Sequence, residues 1–292
     1  MRVLLLGASG QLGWELKRSL TPLGEVIAAD RSVVDLTDLI ALRTAIRRLK
    51  PCLIVNAAAY TSVDKAESEI ELAALVNGAA CQVLAEEARS LDAWLIHYST
   101  DYVFNGQGSV PWGEADVVAP LNSYGSSKVA GEQAIIQSGC KYLIFRTSWN
   151  YGVRGDSFPR KILNLARERE VLEIVADQIG APTGADLIAD VTVSAIQQIL
   201  QHPELGGLYH LAAGGEVSWH GYASYVVDFA RANGVQLSVT TIKAIETSAY
   251  PTPARRPLNS RLNTQKLRGN FSLHLPDWQS GVTRMLREVL NK

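Results

Sequence analysis

An excess of charge of either sign is missing from this chain: 28 lysines and arginines stand against 29 aspartates and glutamates in 292 residues. That balance supplies no footprint for nucleic acid or for an anionic membrane surface. Long hydrophobic runs are missing too, and no apolar stretch approaches the roughly 18 residues of a bilayer span. The opening "MRVLLLGASG" has an apolar run too short for a secretory signal and leads straight into glycines. Cysteine is sparse and odd in number: Cys52, Cys81 and Cys140, without metal-type spacing. These read as reduced, core-packed thiols of a cytoplasmic protein, none beside a candidate base. Repeats and low-complexity tracts are also lacking. What is there is a 47% hydrophobic composition, enough for a large core and too much for disorder. The length suits one large domain or two modest ones.

The first half alternates short apolar runs with helical patterns. "RVLLLGA", "EVIAAD", "CLIVNAAAY", "AWLIHYST" and "KYLIFRTS" read as strands. Between them lie "GQLGWELKRSL", "DLTDLIALRTAIRRLKP" with Thr37 as N-cap and Pro51 as stop, and a long helical region from about Ser68 to Leu91. Continuous apolar strands separated by helices indicate a parallel sheet covered on both faces. The expectation is an α/β, Rossmann-like, doubly wound sheet with a smaller α/β substrate-binding lobe. Residues 1–150 form the dinucleotide-binding domain. "GADLIADVTVSAIQQIL" and "GGLYHLAAG", about 184–213, return to it as a helix and a strand. Residues 151–183 and 214–292, rich in Gly, Pro and Trp loops, form the lobe.

"LLLGASGQLGWEL" sets Gly7, Gly10 and Gly13 three apart between a strand and a helix. Glycines there permit a tight turn and close approach of backbone N–H groups to a pyrophosphate, and the helix dipole favours the anion. Asp30 ends the next strand, where a carboxylate can accept from an adenosine ribose. The bland reading is a generic tight turn. The order strand, glycines, helix, strand, acid favours a dinucleotide. Gly-x-x-Gly-x-x-Gly resembles the extended short-chain dehydrogenase/reductase superfamily, which carries catalysis on Tyr-x-x-x-Lys plus an upstream Ser or Thr.

"NSYGSSKVAGE" holds Tyr124 and, one helical turn on, Lys128. Alone that spacing is weak. "HYSTDYVF", however, puts Ser99 and Thr100 at the end of a strand, the edge at which open α/β sheets bind ligands. Reducing a ketone needs a proton for its oxygen. A phenol titrates near 10, and a neighbouring ammonium is expected to lower that. Tyr124 would then be a general acid, Lys128 would hold the nicotinamide ribose, and Thr100 would bond the substrate oxygen.

"GASGQLGWEL", "VNAAAYTSVDKAE", "HYSTDYVFNG", "PLNSYGSSKVAGE", "FRTSWNYG", "DQIGAPTGA" and "YPTPARRPLNSRLNTQKL" together resemble the bacterial dTDP-4-dehydrorhamnose reductase family, in order and nearly end to end. The resemblance implies NADPH- or NADH-dependent reduction of the C4 ketone of dTDP-4-dehydro-L-rhamnose for cell-surface polysaccharide. It implies a catalytic set at Thr100, Tyr124 and Lys128. Residues matching Gly10, Gln11, Leu12, Asp30, Asp35, Leu36, Ala59, Tyr60, Thr61 and Tyr98 line the family's cofactor site. Those matching Val63, Thr100, Asp101 and Trp149 contact the sugar nucleotide. Glu15, Asp186 and Asp190 match carboxylates that hold Mg²⁺ at a dimer contact in some members, so a homodimer is a further expectation. An all-oxygen set suits that ion, although a solvated acidic face explains it as well.

Arg256, in "ARRPLNS", suits a diphosphate because guanidinium pairs with phosphate through two hydrogen bonds. His97 and His210 lie in apolar strands and read as core. Ser157, followed by Phe158 and Pro159, departs from the family's usual Asn before Phe. Asp30 favours NADH, whereas Arg31 could take a 2′-phosphate. Two other readings compete. Nucleotide-sugar dehydratases or epimerases share the superfamily, but a dehydratase needs a second acid where Tyr102 stands. The regulatory subunit of methionine adenosyltransferase shares the fold and acts by binding a partner. The intact Thr100, Tyr124, Lys128 set argues against it.

Overall fold

The computed structural model describes residues 1–291. Its first half runs β1 (Arg2–Leu6), α1 (Gln11–Ser19), β2 (Glu25–Ala29), α2 (Leu39–Leu49), β3 (Leu53–Asn56), α3 (Ile70–Ala74), α4 (Ala80–Ser90), β4 (Trp94–Thr100), α5 (Ser123–Ser138) and β5 (Lys141–Thr147). Then come β6 (Asn150–Tyr151), α6 (Phe158–Glu168), β7 (Val171–Val175), β8 (Ile179–Gly180), β9 (Thr183–Gly184), α7 (Ala185–Ile199) and β10 (Gly207–His210). The chain closes with β11 (Val217–Ser218), α8 (Trp219–Ala232), β12 (Thr241–Ile245), α9 (Gln265–Phe271) and α10 (Trp278–Leu290).

Six parallel strands form the main sheet in the order β10-β5-β4-β3-β1-β2. Each strand alternates its side chains between two apolar layers, which is why the strands read as continuous apolar runs. Val3, Leu5, Ile96 and Phe145 face α1, α7 and α9. Leu4, Leu6, Ile54 and Ile144 face α2, α4 and α5. A third core gathers Ile162, Leu163, Tyr222, Val226, Trp278 and Met285 from α6, α8 and α10. Beside it β7 pairs with β12.

The order of winding reverses between β1 and β3, so the connections leaving their carboxyl ends run to opposite faces and open the crevice where such sheets hold ligands. The close packing there is visible in Gly7. Its φ is +75°, and a Cβ on it would lie 2.6 Å from the Ala58 nitrogen that follows β3.

Three local expectations are corrected. Asp38, not Thr37, caps α2, its carboxylate accepting from the Ile40 and Ala41 nitrogens at 3.1 and 2.9 Å. A charged acceptor at a helix N-terminus gains from the dipole as well as from the hydrogen bonds. The Ser68–Leu91 region is helical but carries a π turn at Leu75–Ala79 between α3 and α4. Cys52 is exposed, because it precedes β3 at the rim of the sheet, while Cys81 and Cys140 are buried. Cys81 moreover lies 3.9 Å from the nearer ring nitrogen of His97, so one thiol does sit beside an imidazole.

Candidate active site

The glycine turn leads into α1 with Gly10 as an N-cap that supplies no side-chain bond. The first N–H groups of α1 thus have no partner within the helix. A Cβ on Gly13 would drive into the Gly7 carbonyl, which explains the small residue there. This open, amide-lined turn at the switch point fits a pyrophosphate. Gln11 reaches the other way, its Nε2 donating to the Asp156 carbonyl at 2.6 Å. Arg154 of the same loop stacks its guanidinium 3.4 Å from the Trp14 ring centroid. Leu12 packs against the core under α1.

Asp30 follows β2 as expected, and its carboxylate accepts from the Ser32 nitrogen and hydroxyl at 2.9 and 2.6 Å. Those bonds hold its pKa below the usual 3.8. Arg31 pairs with Asp35 at 3.3 Å. Leu36 points into the core, so any contact it makes with a cofactor is through its backbone. Ala59, Tyr60 and Thr61 lie in the loop after β3. Asn77, at the centre of the π turn, clamps that loop: its Oδ1 accepts from the Tyr60 nitrogen, and its Nδ2 donates to the Tyr60 carbonyl and the Ser127 hydroxyl. The π turn thereby ties the loop to α5. Such turns recur at functional sites.

Thr100 ends β4, and its hydroxyl donates to Asp101 at 3.2 Å. Helix α5 starts beside it. Asn122 caps α5 by accepting from the Gly125 nitrogen at 2.8 Å, and Glu67 accepts from the Ser123 nitrogen at 2.7 Å. Gly125 lets the helix approach closely, since a Cβ there would strike the Tyr102 carbonyl. The rings of Tyr124 and Tyr102 meet edge to face at 5.7 Å.

The expected lowering of the Tyr124 pKa is not found. Burial pushes the phenol up to about 12; Thr100 pulls it partway back and Asp101 raises it. Lys128 does not offset this. It donates to the Tyr98 carbonyl at 2.7 Å and lies 3.2 Å from His97 Nε2. The Tyr98 side chain, by contrast, is a core residue, its hydroxyl bonded to Thr192 at 2.9 Å. Asp101 is almost wholly buried, which lifts its carboxyl to about 7 against the Ser260 and Thr100 hydroxyls. Its Oδ2 has no partner in the protein.

On the far wall, Trp149 (φ +49°) is half-buried and stacks on Trp219 at 3.7 Å. It therefore packs against the third core, beside α8. Arg256 is held by Asp64, with hydrogen bonds of 3.0 and 2.7 Å, just after the half-buried Val63. Ser157 caps α6 without a side-chain bond, its hydroxyl buried and unpartnered, and Pro159 occupies the first turn.

Glu15, Asp186 and Asp190 do line one cavity, of about 340 Å³. It is not an oxygen cage. Asp186 pairs with Arg284, and Arg18 lies 3.7 Å from Glu15 and 3.4 Å from Asp190. Among the described residues no group of three or more His, Cys, Asp or Glu is gathered for a metal. Two arginines already pair with the three carboxylates, so the residues of this chain do not fit Mg²⁺ by themselves.

Several of these residues escape sequence reasoning. Asn77 and Asp64 act through contacts distant in sequence. Asn122 left a signal, a cap residue directly before a helical run.

A switch-point glycine turn, an acid after β2 and a Thr–Tyr–Lys set at the sheet's carboxyl edge define a nicotinamide-dependent oxidoreductase of the extended short-chain dehydrogenase/reductase type. The family model described as RmlD substrate binding domain matches residues 1–291. The chain belongs to that family, the dTDP-4-dehydrorhamnose reductases. It is 52% identical to the dTDP-4-dehydrorhamnose reductase of Salmonella typhimurium, over 99% of this chain and 98% of that one. The crystal structure of the Clostridium acetobutylicum reductase superposes with a TM-score of 0.91 at 31% identity, covering 100% of both chains. That of the Bacillus anthracis reductase in complex with NADP gives 0.88 at 35% identity, covering 98% of this chain and 99% of that one. Among the described residues no helix is long and apolar enough to cross a membrane.

Proposed function

We propose that this chain reduces the C4 ketone of dTDP-4-dehydro-L-rhamnose to dTDP-L-rhamnose with NADPH or NADH. The observation that carries the reading is Tyr124 beside Thr100 at the carboxyl edge of β4, next to the glycine turn. When bound, the nicotinamide supplies the hydride to C4. Tyr124, neutral at working pH because burial raises its pKa, gives its proton to the C4 oxygen. The Thr100 hydroxyl orients that oxygen. Lys128, fixed by Tyr98 and His97, holds the nicotinamide ribose. Gly7, Gly10 and Gly13 admit the pyrophosphate, with Gln11 and Leu12 at the first turn of α1, and Asp30 and Asp35 border the adenosine ribose. Val63, Asp101, Trp149 and Arg256 face the sugar nucleotide. Arg256 is poised for the diphosphate, since exchanging Asp64 for phosphate keeps two hydrogen bonds. Tyr102, a phenol, stands where a dehydratase needs an acid, which supports a reductase. Residues 1–150 with about 184–213 serve the cofactor, and 151–183 with 214–292 serve the sugar. The product feeds cell-surface polysaccharide, and the protein works in the cytoplasm, as a homodimer.

The test is NAD(P)H absorbance on adding dTDP-4-dehydro-L-rhamnose, with Tyr124→Phe as control. The variant should lose about 10²–10⁴-fold in turnover with cofactor affinity nearly unchanged. Turnover near that of the parent would remove Tyr124 as proton donor.

A further inference from the structure

Behind Tyr124 lies a cluster of polar side chains drawn from four elements and shut off from solvent. Lys128 of α5, His97 of β4 and Asn56 of β3 are each about 1% exposed, and Cys81 of α4 is fully buried. The Lys128 amine touches His97 Nε2 at 3.2 Å. Asn56 Nδ2 approaches the other ring nitrogen, also at 3.2 Å. Asn56 Oδ1 accepts from the Ala58 nitrogen at 3.2 Å, at the start of the loop that flanks the glycine turn. A continuous line of contacts thus joins the catalytic lysine to the cofactor side of the crevice. Among the described residues no carboxylate bonds Lys128. Glu132, one turn further on α5, spends both oxygens on Arg146 of β5 at 2.9 and 2.6 Å. Cys81, whose thiol burial raises to about 11, brings no charge.

Hydrogen counting shows what the imidazole does. A neutral imidazole accepts at only one nitrogen. If Asn56 donates to Nδ1, then Nε2 carries the proton and points it at the lysine nitrogen, which must accept as an amine. If Lys128 is an ammonium donating to Nε2, then Nδ1 carries the proton, and Asn56 must turn its amide over to accept it, releasing the Ala58 nitrogen. The state of the lysine is therefore read at Asn56 through His97 alone. A doubly protonated ring beside Lys128 would bury two adjacent positive charges, which burial and the lysine both oppose.

We propose that His97 is a positioning residue for the reduction, fixing the Lys128 amine beneath the nicotinamide ribose and linking it through Asn56 to the loop after β3. The proposal rests on the assignment of Lys128 above. A lysine stem is flexible, and Tyr98 by itself supplies one bond and no direction. Loss of His97 leaves a buried amine short of a partner and free to turn away.

The test uses the full chain with His97→Leu and His97→Gln. Glutamine carries an amide near the Nε2 position and so restores a partner for Lys128. Turnover, KM, melting temperature and NADPH affinity by fluorescence are measured for each. His97→Leu should lose about 10–100-fold in kcat, the worth of a hydrogen bond to a charged group, and His97→Gln should recover most of it. A leucine variant with parental kcat, or two variants equally impaired, overturns the proposal. If the leucine variant does not fold, His97→Asn takes its place, since it keeps the Asn56 side but cannot reach Lys128. If the parent fails to oxidise NADPH with the sugar nucleotide, the substrate assignment falls by itself. NADPH affinity then decides: about tenfold weaker binding in the leucine variant only supports the role of His97, and equal affinities reject it.

Discussion

Asp101 is a carboxyl group whose surroundings favour its protonated form. Unfolded, it titrates near 3.8; folded, burial lifts it to about 7. Below pH 4 both states hold the proton. Between about pH 4 and 7 the folded chain keeps a proton that the unfolded chain has released, so stability falls as pH rises. Asp101→Asn fixes a neutral group of the same shape. From pH 4 to pH 8 the balance of stability should shift in favour of the variant by on the order of a few kcal/mol. Urea unfolding across that range measures the shift. A constant difference between variant and parent would mean that folding leaves the Asp101 pKa unshifted.

Helix α5 carries both Tyr124 and Lys128, and its seat on β5 is electrostatic as well as apolar. Glu132 and Arg146, both nearly buried, form two hydrogen bonds across that contact. Replacing Glu132 by Ala strands a guanidinium in the core, at a cost of about 3–5 kcal/mol. Denaturant midpoints test this, and a loss below about 1 kcal/mol would show that water or a neighbour compensates Arg146. At this scale the sequence was most legible. Every main-sheet strand coincides with an apolar run, because parallel strands covered on both faces have no polar side to blur the pattern. The π turn was illegible, since Asn77 sits in a stretch of good helical spacing and its reason for bulging, the Tyr60 loop, is distant in sequence. The Lys128 direction was equally hidden. Helical spacing put it beside Tyr124, yet side-chain orientation was decided by His97 and the Tyr98 carbonyl, both from β4.

Across the whole molecule, an ion pair joins Asp64, in the loop after β3, to Arg256, nearly two hundred residues later. The strap around Arg256 is anchored further by Asn122, whose Nδ2 donates to the Arg255 carbonyl at 2.8 Å. Both partners are part-exposed, so Asp64→Ala should change stability by no more than about 1 kcal/mol. It should nonetheless lower KM for the sugar nucleotide about 3–10-fold, because the diphosphate no longer has to displace Asp64 from Arg256, with NADPH affinity unchanged. An unaltered KM would show that the ligand does not take Asp64's place on Arg256. The carboxylates at Glu15, Asp186 and Asp190 teach the opposite lesson about legibility. Sequence matching named the acids but could not show the arginines, Arg18 and Arg284, that fold back among them.

The strand order has a consequence during synthesis. β5 ends at Thr147, but the strand that covers its free edge, β10, begins only at Gly207. At ordinary ribosomal speed those intervening residues take about 3–12 s to emerge. For that interval the nascent sheet offers a row of unsatisfied backbone groups beside an apolar strand, a template for pairing with another chain. The exposure of that edge is thus set by the segment interposed between β5 and β10, and begins when just over half of the chain has been made.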